Sequence, residues 1–135
     1  MNRMVLSLAT VVLAAVVSGC STPAAGPITA RLQEFSITLG RTTAAPGSVT
    51  FNVNNAGTIV HEFVVLDTDT AAGSLTVGPD GTVPEDGLTV VNEIEDIAVG
   101  ATPTLTVTLA AGHYAIICNI AGHYAGGMHT DLQVQ

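Results

Sequence analysis

Residues 104–134 read TLTVTLAAGHYAIICNIAGHYAGGMHTDLQV, and the fold class follows from them. Leu105, Val107 and Leu109 alternate with threonines, which gives an extended strand one apolar and one polar face. Ala111-Gly112 interrupts the pattern as a turn. Tyr114–Cys118 follows as a second β-rich run, in which Tyr114, Ile116 and Cys118 share a face. A loop rich in Gly and Ala leads to Asp131–Val134, where Leu132 and Val134 again fall on one side. No stripe of helical period runs through any of it.

Working outward, the same texture covers the rest of the chain after residue 27. Ile28–Leu39, Ser48–Asn54, Glu62–Leu66, Leu75–Val77 and Leu88–Glu93 read as further strands. Ala45-Pro46-Gly47, Asn54-Asn55-Ala56-Gly57, Pro79-Asp80-Gly81 and Pro84-Glu85-Asp86-Gly87 separate them as turns. Seven or eight short strands in one domain predict an all-β, two-sheet Greek-key sandwich over residues 28–135. The order of the strands is not encoded in these patterns. Asp67–Gly87 is the least regular stretch and is expected to be a long loop or to carry a short helix.

The N-terminus reads as an address. Met1–Arg3 is positively charged, and Met4–Val17 is apolar apart from Ser7 and Thr10. That run is too short to span a bilayer, which takes about 20 residues, and suits a signal-peptide core. Val17-Ser18-Gly19-Cys20 resembles the bacterial lipobox. The expectation is a signal peptide over residues 1–19, a lipid on Cys20, a tether over residues 20–27, and a domain held outside the cytoplasmic membrane. An ordinary signal peptide with an incidental Cys20 is the plainer alternative.

Charge and cysteine count narrow the function. The chain has 135 residues, three of them Arg, no Lys and eleven acidic, for a net charge of -8. Phosphate neutralisation needs cations that are missing here, so nucleic-acid binding is excluded. No Ser-His-Asp pattern, paired-carboxylate geometry or phosphate loop is visible, so the chain is not expected to be an enzyme. Nine of the eleven acidic residues fall within Glu62–Asp96, which would suit a basic partner or simply keep the protein soluble. With Cys20 committed to lipid, Cys118 is a lone thiol in an oxidising compartment and needs a reason to persist.

The segment Cys118-Asn119-Ile120-Ala121-Gly122-His123-Tyr124-Ala125-Gly126-Gly127-Met128 supplies one. Cys118, His123 and Met128 recur with four residues between each pair, around glycines that let a loop fold back on itself. His61 stands upstream, after the turn Asn54–Gly57 and at the start of a strand. Two imidazoles, a thiolate and a thioether form the soft donor set of a type 1 copper site with a weak axial Met. Thiolate and thioether favour Cu(I) while imidazole accepts both oxidation states. Taken singly, a Cys or Met is more often core and a loop His more often solvated; the combination carries the argument. His113 lies on the opposite strand face from Cys118, and His129 adjoins Met128, so both are expected to be surface titrators rather than ligands. Asp67-x-Asp69 is too short for a calcium loop.

On these residues the chain resembles the cupredoxins, the plastocyanin/azurin family of small blue copper proteins. The C-x₄-H-x₄-M loop is most similar to that of rusticyanin and auracyanin. The resemblance spans roughly Ile28–Val134 and implies an eight-stranded sandwich. It implies one copper held by His61, Cys118, His123 and Met128, and electron exchange with partner proteins such as a cytochrome or an oxidase subunit. Glu34-Phe35-Ser36-Ile37 resembles the family's early strand. Glu62 follows the first ligand where many members have Asn or Ser, so Asn119 is expected to supply the bond between the two ligand loops. Ala121, Gly122, Tyr124, Ala125, Gly126 and Gly127, with Asn55–Ile59, are expected to form a small apolar docking face around His123. The resulting expectation is a monomeric, lipid-anchored electron carrier of the cell envelope. A copper storage or delivery protein is the main alternative, and a metal-free adhesion or assembly sandwich a further one.

Overall fold

The computed structural model describes residues 26–135. The signal peptide, the lipobox-like Val17–Cys20 and nearly all of the 20–27 tether lie outside the described residues. Among the described residues, no helix is long and apolar enough to cross a membrane.

Among the described residues, nine strands run in chain order as β1 (Ile28–Gln33), β2 (Ser36–Leu39), β3 (Thr43–Ala44), β4 (Gly47–Asn55), β5 (His61–Asp67), β6 (Thr89–Ile97), β7 (Thr104–Leu109), β8 (Gly112–Ile117) and β9 (His129–Val134). They form a four-stranded sheet, β2-β1-β4-β7, and a five-stranded sheet, β3-β9-β8-β5-β6. β1 pairs parallel to β4 and β3 parallel to β9, and the other pairs are antiparallel. The chain changes sheet repeatedly, as a Greek-key sandwich requires.

Two expected strands differ. Ile28–Leu39 is two strands, because the apolar positions change parity. Ile28, Ala30 and Leu32 are buried on β1, then Ile37 on β2, and Gln33 pairs with Ser36 across the Glu34-Phe35 turn. Leu75–Val77 is not a strand. Leu75 is buried, but Val77 is exposed, and the Leu75 N–H goes to the Tyr124 hydroxyl rather than to a ladder. Residues 68–88 are a long excursion containing one 3₁₀ turn, Ala72–Ser74, as the irregular composition suggested.

The main core lies between the sheets. Phe51 of β4 and Phe63 of β5 meet there with ring centroids 5.2 Å apart, among Ile28, Leu32, Ile116 and Leu132. Each such side chain contributes roughly 1.5–3 kcal/mol by leaving water. A second cluster sits on the outer face of the five-stranded sheet. Val64, Leu66, Ala115 and Ile117 pack there beneath Ala72, Leu75 and Val83 of the excursion, with Tyr124 alongside. Both faces of β5 are therefore covered, which is why Phe63–Leu66 is apolar without alternation.

Antiparallel pairing of β5, β8 and β9 fixes where the chemistry falls. Ile117, at the end of β8, pairs with Val64 of β5 and with His129, which starts β9. The start of β5, the end of β8 and the start of β9 thus share one end of the sandwich. The ends of β1 and β4 join them there through their parallel register.

Candidate metal centre

His61 opens β5 and Cys118 directly follows β8. His123 and Met128 lie in the loop that joins β8 to β9. That loop is wound tight by its own backbone. His123 N–H donates to Ile120 O, and Gly126 N–H and Met128 N–H both reach His123 O, at 2.9, 3.1 and 3.1 Å. Cys118 N–H closes it on Met128 O at 3.1 Å. Gly122 and Gly127 take φ of 79° and 109°, a left-handed backbone that a side chain would strain.

The loop brings the expected donors together. His61 Nδ1 and His123 Nδ1 are 3.3 Å apart, and Cys118 Sγ is 3.3 Å from His123 Nδ1 and 4.0 Å from His61 Nδ1. All three donor atoms lie within 4.8 Å of one another. A metal with bonds of about 2.1 Å at the centre of such a triangle wants its donors roughly 3.6 Å apart, so the set fits. Met128 is fully buried in the same cluster of residues as Cys118, and its backbone bonds both Cys118 and His123. His61 and Cys118 are also fully buried, while His123 is 7% exposed, which makes it the donor nearest to solvent.

Burial sets the protonation states. It pushes the Cys118 thiol up, while the backbone N–H groups of Glu62 and Ile120 pull it down and the nearby Glu62 carboxylate adds to the rise. Glu62 N–H donates to Cys118 Sγ at 3.3 Å. Burial holds His61 below the usual imidazole range against the pull of Glu34, and holds His123 low with help from His61. Both rings therefore offer lone pairs at neutral pH, and the thiol loses its proton when a metal binds.

Two carboxylates lie near the ligands, Glu34 against His61 and Glu62 next to it in sequence. Glu34 Oε1, from the β1–β2 turn, accepts the N–H of Thr58 at 2.5 Å and of Ile59 at 3.1 Å, and faces His61 Nε2 at 3.5 Å. The Thr58 N–H first, then Glu34's own N–H, with Ile59 and His61 contributing less, hold its carboxyl down at about 2 against a small burial effect. Glu62 is pushed up by burial, then by Glu95 and Glu93 and more weakly by Asp96, against the Asn119 N–H.

The bond expected from Asn119 goes elsewhere. Its side chain accepts from Val83 N at 2.7 Å and donates to Val83 O and Glu85, so it ties the ligand loop to the 68–88 excursion. The loop before His61 is braced instead by Asn55, a buried side chain that donates to Ile59 O and Ile97 O and accepts from Gly57 N–H. Asn55 was expected on the docking face and stands inside it. Tyr124 is likewise buried, donating to Ala72 O and accepting Leu75 N–H under the excursion. In its place the face carries Phe35, Ile59 and Val60, each more than 40% exposed. Phe35 stands edge-on to the His123 ring, with centroids 5.7 Å apart, and its ring fills the space above Gly126. Phe35 was missed as a surface residue; the parity change between Leu32 and Ile37 was the available signal.

Neither remaining histidine joins the cluster. His113 bonds Thr68 O and Asp131, and His129 packs its ring on Tyr124.

The comparisons with known proteins follow the same line. The family model described as the sulfocyanin (SoxE) domain matches residues 9–135. The chain belongs to the sulfocyanin family of cupredoxins. No curated protein matches this sulfocyanin domain by sequence. Among solved structures, auracyanin from the photosynthetic bacterium Roseiflexus castenholzii superposes with a TM-score of 0.61 at 24% identity, over 87% of this chain and 99% of that one. Auracyanin A, a "blue" copper protein from the green thermophilic photosynthetic bacterium Chloroflexus aurantiacus, gives 0.55 at 27% identity, over 82% and 100%. Rusticyanin from Thiobacillus ferrooxidans gives 0.52 at 23% identity, over 80% and 75%. Cupredoxins hold one type 1 copper, and the side chains a sulfocyanin domain would use are gathered at one end of this fold.

Proposed function

We propose that this sulfocyanin domain is an electron carrier, with His61, Cys118, His123 and Met128 as the ligands of one type 1 copper. The convergence of two imidazole nitrogens and one thiol within 4.8 Å, at the buried end of a two-sheet frame, carries the reading. Copper held there supplies one-electron chemistry between Cu(I) and Cu(II). The protein's part is to keep the donors still. Cys118 and Met128 are locked to each other by backbone, His61 is locked to a strand, and water is kept from all three.

His123 is the way in and out. Its ring meets Phe35 edge-on, and Ile59 and Val60, which lead into His61, are also exposed. A small apolar patch of this kind supports brief docking to a redox partner, because a small interface releases quickly. Glu62, Glu93, Glu95 and Asp96 carry acidic charge near the first ligand, which favours a basic partner such as a cytochrome or an oxidase subunit. The lipobox-like Val17–Cys20 supports an extracytoplasmic, lipid-anchored carrier. Storage or delivery of copper is less well supported, since the thiol of Cys118 and the thioether of Met128 are both fully buried and closed to an acceptor.

Copper loading tests the reading. The Cu(II) protein should show an intense thiolate-to-copper absorption that ascorbate bleaches and an oxidant restores. Cys118→Ser should abolish it, and a variant that kept the colour would remove Cys118 from the site. Net copper transfer to a metal-free acceptor, without redox turnover, would favour delivery instead.

A further inference from the structure

Glu34 has no role in the ligand set, yet it is aimed at one of its members. His61 offers Nδ1 to the cluster and turns Nε2 the other way. That nitrogen is buried without a partner in good hydrogen-bond geometry, and Glu34 Oε1 faces it at 3.5 Å. The carboxylate is itself pinned, since the same oxygen takes the N–H groups of Thr58 and Ile59. Space is kept for the contact by Gly57. A Cβ at that position would come within 2.8 Å of His61 Nε2 and would also strike the Glu34 carboxylate.

An imidazole carries its proton on one nitrogen or the other, and the partner of one nitrogen decides the state of its fellow. A carboxylate facing Nε2 retains the proton there and leaves the Nδ1 lone pair free. It also puts a negative charge behind the ring, which favours the more positive oxidation state of a metal on Nδ1.

We propose that Glu34 is a positioning residue of the metal centre, holding His61 in the Nε2–H tautomer and lowering the copper midpoint potential through its fixed charge. This rests on the copper reading above only for the potential; the tautomer is a property of the metal-free protein.

The experiment has two arms. In the metal-free protein at neutral pH, long-range ¹⁵N–¹H NMR should find His61 protonated on Nε2 and bare on Nδ1. In Glu34→Leu it should show the two tautomers mixed. A wild-type His61 protonated on Nδ1 overturns the proposal whether or not copper binds. In the copper-loaded protein, Glu34→Gln should raise the reduced-to-oxidised ratio at fixed potential about tenfold, equal to 59 mV for one electron. Glu95→Gln removes one negative charge from β6 and should change that ratio less than twofold. Should Glu34→Gln fold poorly, Gly57→Ala drives the pair apart with both residues retained, and should shift the ratio in the same direction. Equal shifts from Glu34→Gln and Glu95→Gln, or none from Glu34→Gln and Gly57→Ala, overturn the electrostatic role. Failure of the wild type to turn blue sinks the copper reading and leaves the tautomer result standing on its own.

Discussion

The ligand cluster is held from two sides, by the β1–β2 turn with residues 56–60 on one and by residues 68–88 on the other. On the first side the contacts are few and polar. One carboxylate, Glu34, gathers two backbone N–H groups and faces His61, with Phe35 and Ile59 lying exposed around it. On the second side the contacts are many and mostly buried. Ala72, Leu75 and Val83 pack on the sheet, the Tyr124 hydroxyl joins two backbone groups, and Asn119 joins Val83 twice. The first side leaves His123 close to a partner and presents charge to a ligand. The second keeps the ligand loop from moving. A site that must exchange electrons with little rearrangement gains from such a division, with access on one flank and restraint on the other.

The largest effect that would break this contrast is on the restraining flank. Tyr124→Phe leaves the Leu75 N–H and the Ala72 carbonyl unpaired in a buried place, which costs roughly 1–3 kcal/mol. For a domain of this size each kcal/mol lowers Tm by about 4–8 °C. The thermal midpoint of the copper-free protein should fall accordingly, while the position of the visible band stays near the wild type. An unchanged Tm would mean that the excursion rests on the sheet without holding it.

The two carboxylates beside His61 sharpen the contrast further. Glu62 is pushed up, first by burial and then by Glu95 and Glu93, so its ionised form destabilises the fold. A raised carboxyl makes its favourable contribution at acid pH and loses it as pH rises through the folded value. Glu62→Gln should therefore stabilise the protein at pH 7, by up to about 1 kcal/mol for a half-exposed group. The gain should vanish near pH 4. Glu34 runs the other way: held at about 2, its contribution is present above the ordinary glutamate range and fades as pH falls towards that value. Denaturant midpoints of the two Gln variants from pH 3 to 8 should diverge in opposite directions.

Much of this was legible beforehand, for identifiable reasons. Alternation on Leu105–Leu109 and Val49–Val53 marks strands with one wet face, and both stand where the pattern put them. Of the residues in the H…C-x₄-H-x₄-M spacing, the fold gathers His61, Cys118 and His123 into one cluster and buries Met128 in the same core as Cys118, because a loop between antiparallel neighbours must bring its ends together. What stayed hidden depends on tertiary partners. Asn55 and Asn119 look alike as loop residues; only the paths of residues 56–60 and 68–88 decide which loops each one ties. Tyr124 reads as surface because it follows a loop histidine, and is buried because the excursion folds over it. Phe35 falls inside the expected strand Ile28–Leu39, and is exposed because it sits at the tip of a hairpin beside the metal end.

The smallest expected effect lies at the root of the restraining flank. His113 joins Thr68 O at 2.5 Å to Asp131 at 2.9 Å, and Asp131 also accepts the Ala72 N–H at 2.7 Å. The Thr68 carbonyl raises the pKa of His113 most, burial opposes it, and Asp131 and more weakly Asp69 add to the rise. A raised histidine contributes its stability fully below the unfolded value, about 6.5, and loses it as pH rises through the folded one. His113→Gln should therefore destabilise the protein more at pH 5.5 than at pH 8.5. The difference should be no more than about 1 kcal/mol, because the pair is partly exposed. A loss that is the same at both pH values would assign the contribution of His113 to packing and hydrogen bonding rather than charge. Because His113 lies apart from the ligand cluster, the copper midpoint should be indifferent to the substitution, and a midpoint that moved with it would show that the root of the excursion strains the ligand loop as well as restraining it.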